Sequence, residues 1–440
     1  MKMTTVFSSA ALSAVLMIGA QNAQAETVTL NQVYSLAIQK NEQVQIARED
    51  IRVAEQDRKR AVSTVLPKVT LSGTYDRFPE KTKDLGSSTV ILQPEYGYGG
   101  QVKVEQPLFS GGKNAAGIRI ADHQIEAARK GLDLSGEALL IQVAQAYYGI
   151  LKARKNLDTQ LRDVERLTEH RRLSDLRYKV GEVTESILLR AEAELAGAKA
   201  DRVARENDLA VKKRELRNLT DLPEEFEIAE PPLPEIPGET VPQLLQAAMA
   251  HREDLRQSEI RERISEQQVS FSRGNFFPTL SVEGTLFSRN QNPRSTFFVD
   301  QSWMAEAKIE FPIFEGGLRR AELSQAHTRL GQDRLRTSNL KKQLELDVTR
   351  SYLNFNAISR ELESREDQLR FAKKNYEMVS KQFTFGLATN IDLLDANQTL
   401  IEAERDMIDA TYDRHLAILD LQRSIGVFLS KALDAAQAHL

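Results

Sequence analysis

Cysteine is absent from all 440 residues, which excludes disulfide frameworks, thiolate metal sites and cysteine nucleophiles. Histidine is scarce: six are scattered along the chain, and none falls into a metal-ligand spacing such as H-x-x-x-H. A strong excess of one charge is also lacking, and a net charge of −4 offers no electrostatic footprint for nucleic acid. Gly111-Gly112-Lys113 lacks the earlier glycine and the following hydroxyl residue of a phosphate loop. No nucleophile–base constellation is visible, so the chain reads as a protein that is not an enzyme and uses no cofactor or metal. Beyond residue 25 there is no apolar run approaching the roughly 20 residues of a membrane-spanning helix.

The N-terminus has the form of a secretory signal. Lys2 supplies the positive charge, residues 6–20 are apolar and small, and Ala23-Gln24-Ala25 is a cleavage site. The apolar stretch is too short to anchor the chain, and no cysteine follows to carry a lipid. An exported chain without apolar helices can still cross a membrane as β-strands, whose sequence signal is weaker.

The chain is an internal duplication. Gln106-Pro107-Leu108-Phe109-Ser110-Gly111-Gly112 returns as Phe311-Pro312-Ile313-Phe314-Glu315-Gly316-Gly317, a separation of 205 residues from Pro107 to Pro312. The same separation pairs Gly181 with Gly386 and Thr184 with Thr389. From Pro67 to Pro278 it is 211, so the first half carries six extra residues, expected in a loop over 80–94 against 290–296. Residues 221–240 hold five prolines and read as an extended linker. The expected organisation is a signal peptide over 1–25, a first repeat over 26–220 and the linker. A second repeat over 241–426 and a C-terminal tail over 427–440 follow.

Each repeat reads as a helix, two strands, a very long helix, a turn and a returning helix. The helices are expected near 31–62, 113–179 and 185–219, then 241–274, 318–384 and 390–425. Leu340, Leu344, Val348, Tyr352, Phe355, Ile358 and Leu362 form one narrow apolar seam with charged residues elsewhere, the patterning of a coiled coil. At 1.5 Å per residue the long helices measure ~100 Å.

The hairpins, 67–109 and 278–312, alternate cleanly. Val69, Leu71 and Tyr75 oppose Lys68, Thr70, Ser72, Thr74 and Asp76, and Val102 and Val104 oppose Gln101, Lys103 and Glu105. Leu280, Val282 and Leu286 oppose Ser281 and Glu283, while Trp303, Ala305, Ala307 and Ile309 oppose Ser302, Glu306, Lys308 and Glu310. Aromatics gather at both ends of the strands, with Tyr75, Phe78, Tyr96, Phe297 and Phe298 at one and Phe109, Phe276, Phe277 and Phe311 at the other. The strands are long enough to cross a bilayer with tilt. The helical seams are too narrow to cover the apolar face. Four strands cannot close a barrel, and an open edge cannot lie in lipid, so the chain must oligomerise. Two copies leave a filled lumen; three leave room for water.

These features together resemble the outer-membrane efflux protein family: the tandem halves, the Pro-hydrophobic-Phe-x-Gly-Gly junctions, and the tip Phe385-Gly386-Leu387-Ala388-Thr389-Asn390-Ile391-Asp392-Leu393-Leu394-Asp395-Ala396. The resemblance implies a TolC-like fold, mainly α with transmembrane β, forming a homotrimer with a twelve-stranded β-barrel continuous with a twelve-helix α-barrel. It implies a passive exit duct in the outer membrane of a Gram-negative bacterium, surrounded by outer-membrane lipid, with a large periplasmic portion. Its implied partners are a periplasmic adaptor (membrane fusion) protein and an inner-membrane RND or ABC transporter, in a tripartite efflux or type I secretion system. The competing reading is a periplasmic coiled-coil scaffold or adaptor protein.

At the tip, Gly386 stands where a helix ends and a positive φ is useful, and Thr389-x-x-Asp392 has the form of a capping box. Gly181 and Thr184 repeat the stop and the start in the first half. Gly111, Gly112, Gly316 and Gly317 read as tight strand-to-helix turns. In the family, acids matching Asp392 and Asp395 line the narrow periplasmic entrance, where three copies would place six carboxylates around one axis, an arrangement that favours cations. Helix-start electrostatics alone would also favour acids there. The duplication argues for more, because Ile187 and Arg190 occupy the matching positions of the first half. Arg190 is then a candidate partner for Asp395 in a closed state. The family often has a basic residue two positions after the tip glycine, where this chain has Ala388.

Overall fold

The computed structural model describes residues 27–437 apart from 80, 85, 87, 88, 239, 296 and 297. The signal peptide expected over 1–25, and Phe297 of the aromatic set, lie outside the described residues. The chain begins with β1 (Thr27–Val28), α1 (Leu30–Lys40) and α2 (Glu42–Ser63). Next come β2 (Lys68–Arg77), β3 (Lys81–Asp84), β4 (Thr89–Gln93) and β5 (Tyr96–Phe109), then α3 (Lys113–Lys179) and α4 (Glu185–Thr220). After β6 (Glu227–Ile228) the pattern recurs as α5 (Val241–His251), α6 (Glu253–Gly274), β7 (Thr279–Asn292), β8 (Gln301–Glu310), α7 (Leu318–Thr384) and α8 (Asn390–Ser424). A last helix, α9 (Phe428–Gln437), ends the described chain.

The first helix of each half, expected as one piece, is two. Asn41 sits in extended backbone, ends α1 by donating its N–H to Ala37 O, and starts α2 by accepting Gln43 N–H at 3.0 Å. Arg252 makes the same break between α5 and α6, where its guanidinium bonds the Asp254 carboxylate. The 80–94 loop is also more than a loop, because β3 and β4 pair there as a small antiparallel hairpin. The linker is extended, as its prolines require, but it is fastened down. Leu222, Phe226 and Ile228 are buried in it, and β6 pairs in parallel with β1. The tail over 427–440 contains α9, whose Phe428 and Ala432 are buried in the core.

α3 and α7 are 67 residues each, so each is ~100 Å long. α2 and α6 pack beside α3, α4 returns along it, and α8 returns along α7 while also touching α3. The main core lies where α1, α9, β1 and β6 gather around Leu140, Val143, Tyr147, Tyr148 and Leu151 of α3. Away from it, small clusters such as Ala372, Leu400 and Ala403 hold the hairpins together.

The main sheet is one layer, ordered β2-β5-β7-β8 and antiparallel throughout. Its register joins Leu71, Val102, Leu286 and Trp303 in one row and Ser72, Gln101, Phe287 and Ser302 in the next. One face is therefore apolar, with Leu71 78% and Trp303 72% exposed. The other is mostly polar and carries the Lys103–Glu283 ion pair at 2.7 Å and Lys308–Glu310 at 3.0 Å. Nothing described covers the apolar face, and β2 and β8 are both open edges. No helix among the described residues is long and apolar enough to cross a membrane.

At the base of the sheet Gly111 adopts a φ of 65° and lies so close to α6 that a Cβ there would stand 2.3 Å from Gly274 O. Gly112, Gly316 and Gly317 also have positive φ and launch α3 and α7 from the strands.

Candidate functional site at the helix tips

The α3–α4 and α7–α8 hairpins end in matched turns. At the first, Gly181 has a φ of 79°, and Glu182 N–H donates to Arg177 O at 2.9 Å. At the second, Gly386 has a φ of 75°, and Leu387 N–H donates to Gln382 O at 2.8 Å. Both are Schellman stops, in which a left-handed residue lets the chain satisfy the last carbonyls of the helix.

The helices that follow begin differently. Thr389 closes a full capping box. Its side chain accepts Asp392 N–H at 3.2 Å, while its own N–H and hydroxyl donate to Asp392 Oδ2 at 2.8 and 2.6 Å. Those bonds hold the exposed Asp392 carboxyl below its ordinary range, the hydroxyl contributing most. Thr184 makes no side-chain cap bond; its hydroxyl meets Ser186 Oγ at 2.8 Å. Local capping therefore accounts for the placement of Asp392. It does not account for Asp395, which is exposed one turn on and has no ion pair among the described residues. Arg190 is exposed on α4, which packs on α3, and the fold does not bring it to Asp395 within one chain.

Between the two hairpins runs a feature that apolar periodicity does not reveal. α3 meets α8 and the end of α7 through polar rungs seven residues apart. Asn397 Nδ2 donates to Asp163 Oδ1 at 2.8 Å, with both side chains buried. One step toward the tip, buried His170 donates from Nε2 to Asn390 Oδ1. One step further, Arg177 donates to the Phe383 and Thr384 carbonyls at 2.8 and 3.0 Å and stacks 4.7 Å from the Phe383 ring. Burial is the main cause of a lowered His170 pKa, which its bond to Asn390 and the charge of Glu194 only partly offset. Among the described residues its Nδ1 has no hydrogen-bond partner, nor do Asn397 Oδ1 and the Arg166 Nε. The usable signal was the heptad spacing of polar residues, 163, 170 and 177 on one helix against 390 and 397 on the other.

A one-layer amphipathic sheet set on two ~100 Å helical hairpins is the architecture of an envelope channel, whose strands sit in a membrane while its helices reach away from it. The chain belongs to the outer membrane efflux protein family, whose model matches residues 33–221 and 244–427. This is a family of channel proteins, and the chain is an outer-membrane channel protein serving as an exit duct for efflux or secretion. Outer membrane protein TolC of Vibrio cholerae is 24% identical over 394 residues, spanning 86% of each chain. Alkaline protease secretion protein AprF of Pseudomonas aeruginosa is 21% identical over 92% of this chain and 86% of its own length. In fold, the CmeC outer membrane channel of Campylobacter jejuni matches with a TM-score of 0.79 at 18% identity, over 99% of this chain and 98% of that one.

Proposed function

We propose that three copies assemble into a passive trans-periplasmic duct, gated at the helix tips. The observation that carries this is the sheet, with one apolar face, one polar face and both edges unpaired. Joining β8 of one copy to β2 of the next removes every edge, and three copies give a twelve-stranded barrel with the apolar rows toward lipid. Lys103, Glu105, Glu283, Glu306 and Lys308 then face water in the lumen.

The hairpins continue the barrel into the periplasm and bring the tips toward the inner membrane. There a periplasmic adaptor protein joins the duct to an inner-membrane RND or ABC transporter, which supplies the energy. Three Asp392–Asp395 pairs form an acidic constriction that favours cations and binds divalent ions. Arg190 of a neighbouring copy is the candidate counter-charge for Asp395 when the tip is shut. The first repeat (26–220), the linker (221–240) and the second repeat (241–426) contribute alternately around the tube.

The test is single-channel recording in planar bilayers. Asp392→Ala with Asp395→Ala is expected to weaken cation preference and to relieve block by divalent ions. Unchanged selectivity and block would overturn the gate assignment and leave the duct itself standing.

A further inference from the structure

The duplication makes a demand on the helices as well as on the strands. In a closed tube of alternating halves, each half meets the next through the same kind of contact, so the joint inside one chain recurs between copies. What α3 makes with α7 and α8 in one chain, α7 then makes with α3 and α4 of the next copy, a relation that rests on the duct read from the sheet edges. The separation of 205 residues names the matching positions. It takes Asp163, Arg166 and His170 of α3 to Gln368, Phe371 and Asn375 of α7. On the other side of the joint it takes Tyr376, Asn390 and Asn397 to Arg171, Glu185 and Glu192.

No residue here repeats the side chain it matches, yet each pair still fits. Inside the chain the amide of Asn397 on α8 donates to the Asp163 carboxylate on α3. Between copies acid and amide change sides, with Gln368 facing Glu192. Gln368 Oε1 accepts from Arg365 at 3.0 Å, which leaves its N–H groups to donate. Inside the chain the Arg166 guanidinium lies 5.6 Å from the Tyr376 ring. Between copies those roles are exchanged as well: Phe371 supplies the ring and Arg171 the guanidinium, which a 2.8 Å bond to Glu192 holds beside the first pair. Inside the chain His170 donates to Asn390. Between copies Asn375 faces the Glu185 carboxylate, again a donor against an acceptor. In the single chain Gln368, Asn375, Glu185 and Glu192 are exposed, and Phe371 is 61% exposed. Higher on α7, Leu346 and Leu353 match the core residues Ile141 and Tyr148 and are 55% and 60% exposed. Changing both members of a pair while keeping them complementary is what a contact demands and a solvated surface does not.

We infer that the α7 face bearing Gln368, Phe371 and Asn375 seats on the α3–α4 hairpin of a second copy of this chain, joining Gln368 to Glu192, Phe371 to Arg171 and Asn375 to Glu185. The interface is head to tail, with different faces on its two sides, so it turns in one direction and closes as a ring. It continues below the membrane the joint that β8 and β2 make within it. Its two polar rungs, seven residues apart on each helix, set the axial register between copies as Asp163 and His170 set it within one.

The chain has no cysteine, so a pair introduced into the full-length protein supplies its only thiols. Side chains that meet end to end leave their Cα atoms beyond disulfide reach, so the probe is bismaleimidoethane, a short thiol crosslinker. In protein purified in detergent, Gln368→Cys/Glu192→Cys and Asn375→Cys/Glu185→Cys are each expected to give bands at two and three chain masses on denaturing gels. Within one chain α4 packs on α3 and α7 on α8, and a link inside one chain would leave the mass unchanged. Gln382→Cys/Glu192→Cys moves one thiol ~21 Å along α7 and should crosslink at least roughly tenfold less. Light scattering counts the copies in each variant. Three copies in which neither matched pair links better than the displaced pair would overturn the seam and leave the duct standing. Single chains alone, in the unsubstituted protein, would overturn the duct reading and the seam with it.

Discussion

The contact between α3 and α8 changes character along its length. At mid-height it is aromatic and aliphatic: Tyr148 lies 6.2 Å from Tyr412 within a cluster that includes Leu151 and Leu419. Toward the tip the same two helices meet through Asp163, His170, Asn390 and Asn397, all buried, with His170 Nδ1 and Asn397 Oδ1 left without a partner among the described residues. Apolar burial is strong and tolerant of small shifts, while buried polar pairs contribute little net stability but penalise a wrong register heavily. The mid-height contact therefore holds the two repeats together. The contact near the tip sets how the α3–α4 and α7–α8 hairpins align, and it is the weaker place for them to part.

The largest expected effect comes from breaking the mid-height side. Leu151→Ala, at a fully buried position, should cost ~2–5 kcal/mol and show as a large drop in thermal unfolding temperature. On the tip side, Asn397→Leu removes the 2.8 Å bond to buried Asp163, leaving the carboxylate only Gln160 at 3.4 Å and Arg166 at 3.8 Å, and should cost ~1–3 kcal/mol. Asp163→Leu/Asn397→Leu should recover part of that loss, because both partners of the rung go while Arg166 loses the carboxylate 3.8 Å away. A double variant as unstable as the single one would show that the rung is a net stabiliser, and the contrast between the two regions would fail. If the seam parts during opening, the double variant should also open less often in single-channel recordings.

The smallest effect is a pH dependence confined to the tip. Buried His170 has a pKa held below its ordinary value of 6.5, chiefly by burial. The folded tip then binds fewer protons than the separated one, so its stability is intact above pH 6.5 and declines as pH falls toward the lowered native value. The charged ring would carry a second N–H with no acceptor, close to Arg177 across the Phe383 ring. Protection factors for amide exchange in the first turns of α8, corrected for the intrinsic pH dependence, should fall in acid, and His170→Gln should flatten that response. An identical acid response in His170→Gln would assign it to another group.

Much of the architecture was legible because long helices and membrane-length strands repeat their patterns many times. The alternation in β2, β5, β7 and β8 predicts the faces that the register confirms. The breaks at Asn41 and Arg252 escaped because each is a single extended residue without glycine or proline to mark it. α9 was hidden by its shortness, although Phe428, Leu429, Ala432 and Leu433 are spaced for a helical face. At the tip, Gly386, Thr389 and Asp392 were readable because stops and caps are local chemistry. The polar rungs were not, because each joins residues more than 200 positions apart and only the folded hairpins bring them level.

The unpaired edges of β2 and β8 also constrain the order of events in biogenesis. A lone chain cannot enter the hydrocarbon layer, because its edge N–H and C=O groups would find no partners there. Insertion therefore waits for encounter with other copies, and its rate should rise more steeply than linearly with the amount of secreted chain. Until that encounter the exposed Leu71, Trp303 and Ile309 rows travel through water uncovered, and the sheet in that interval is a target for chaperones and for proteolysis.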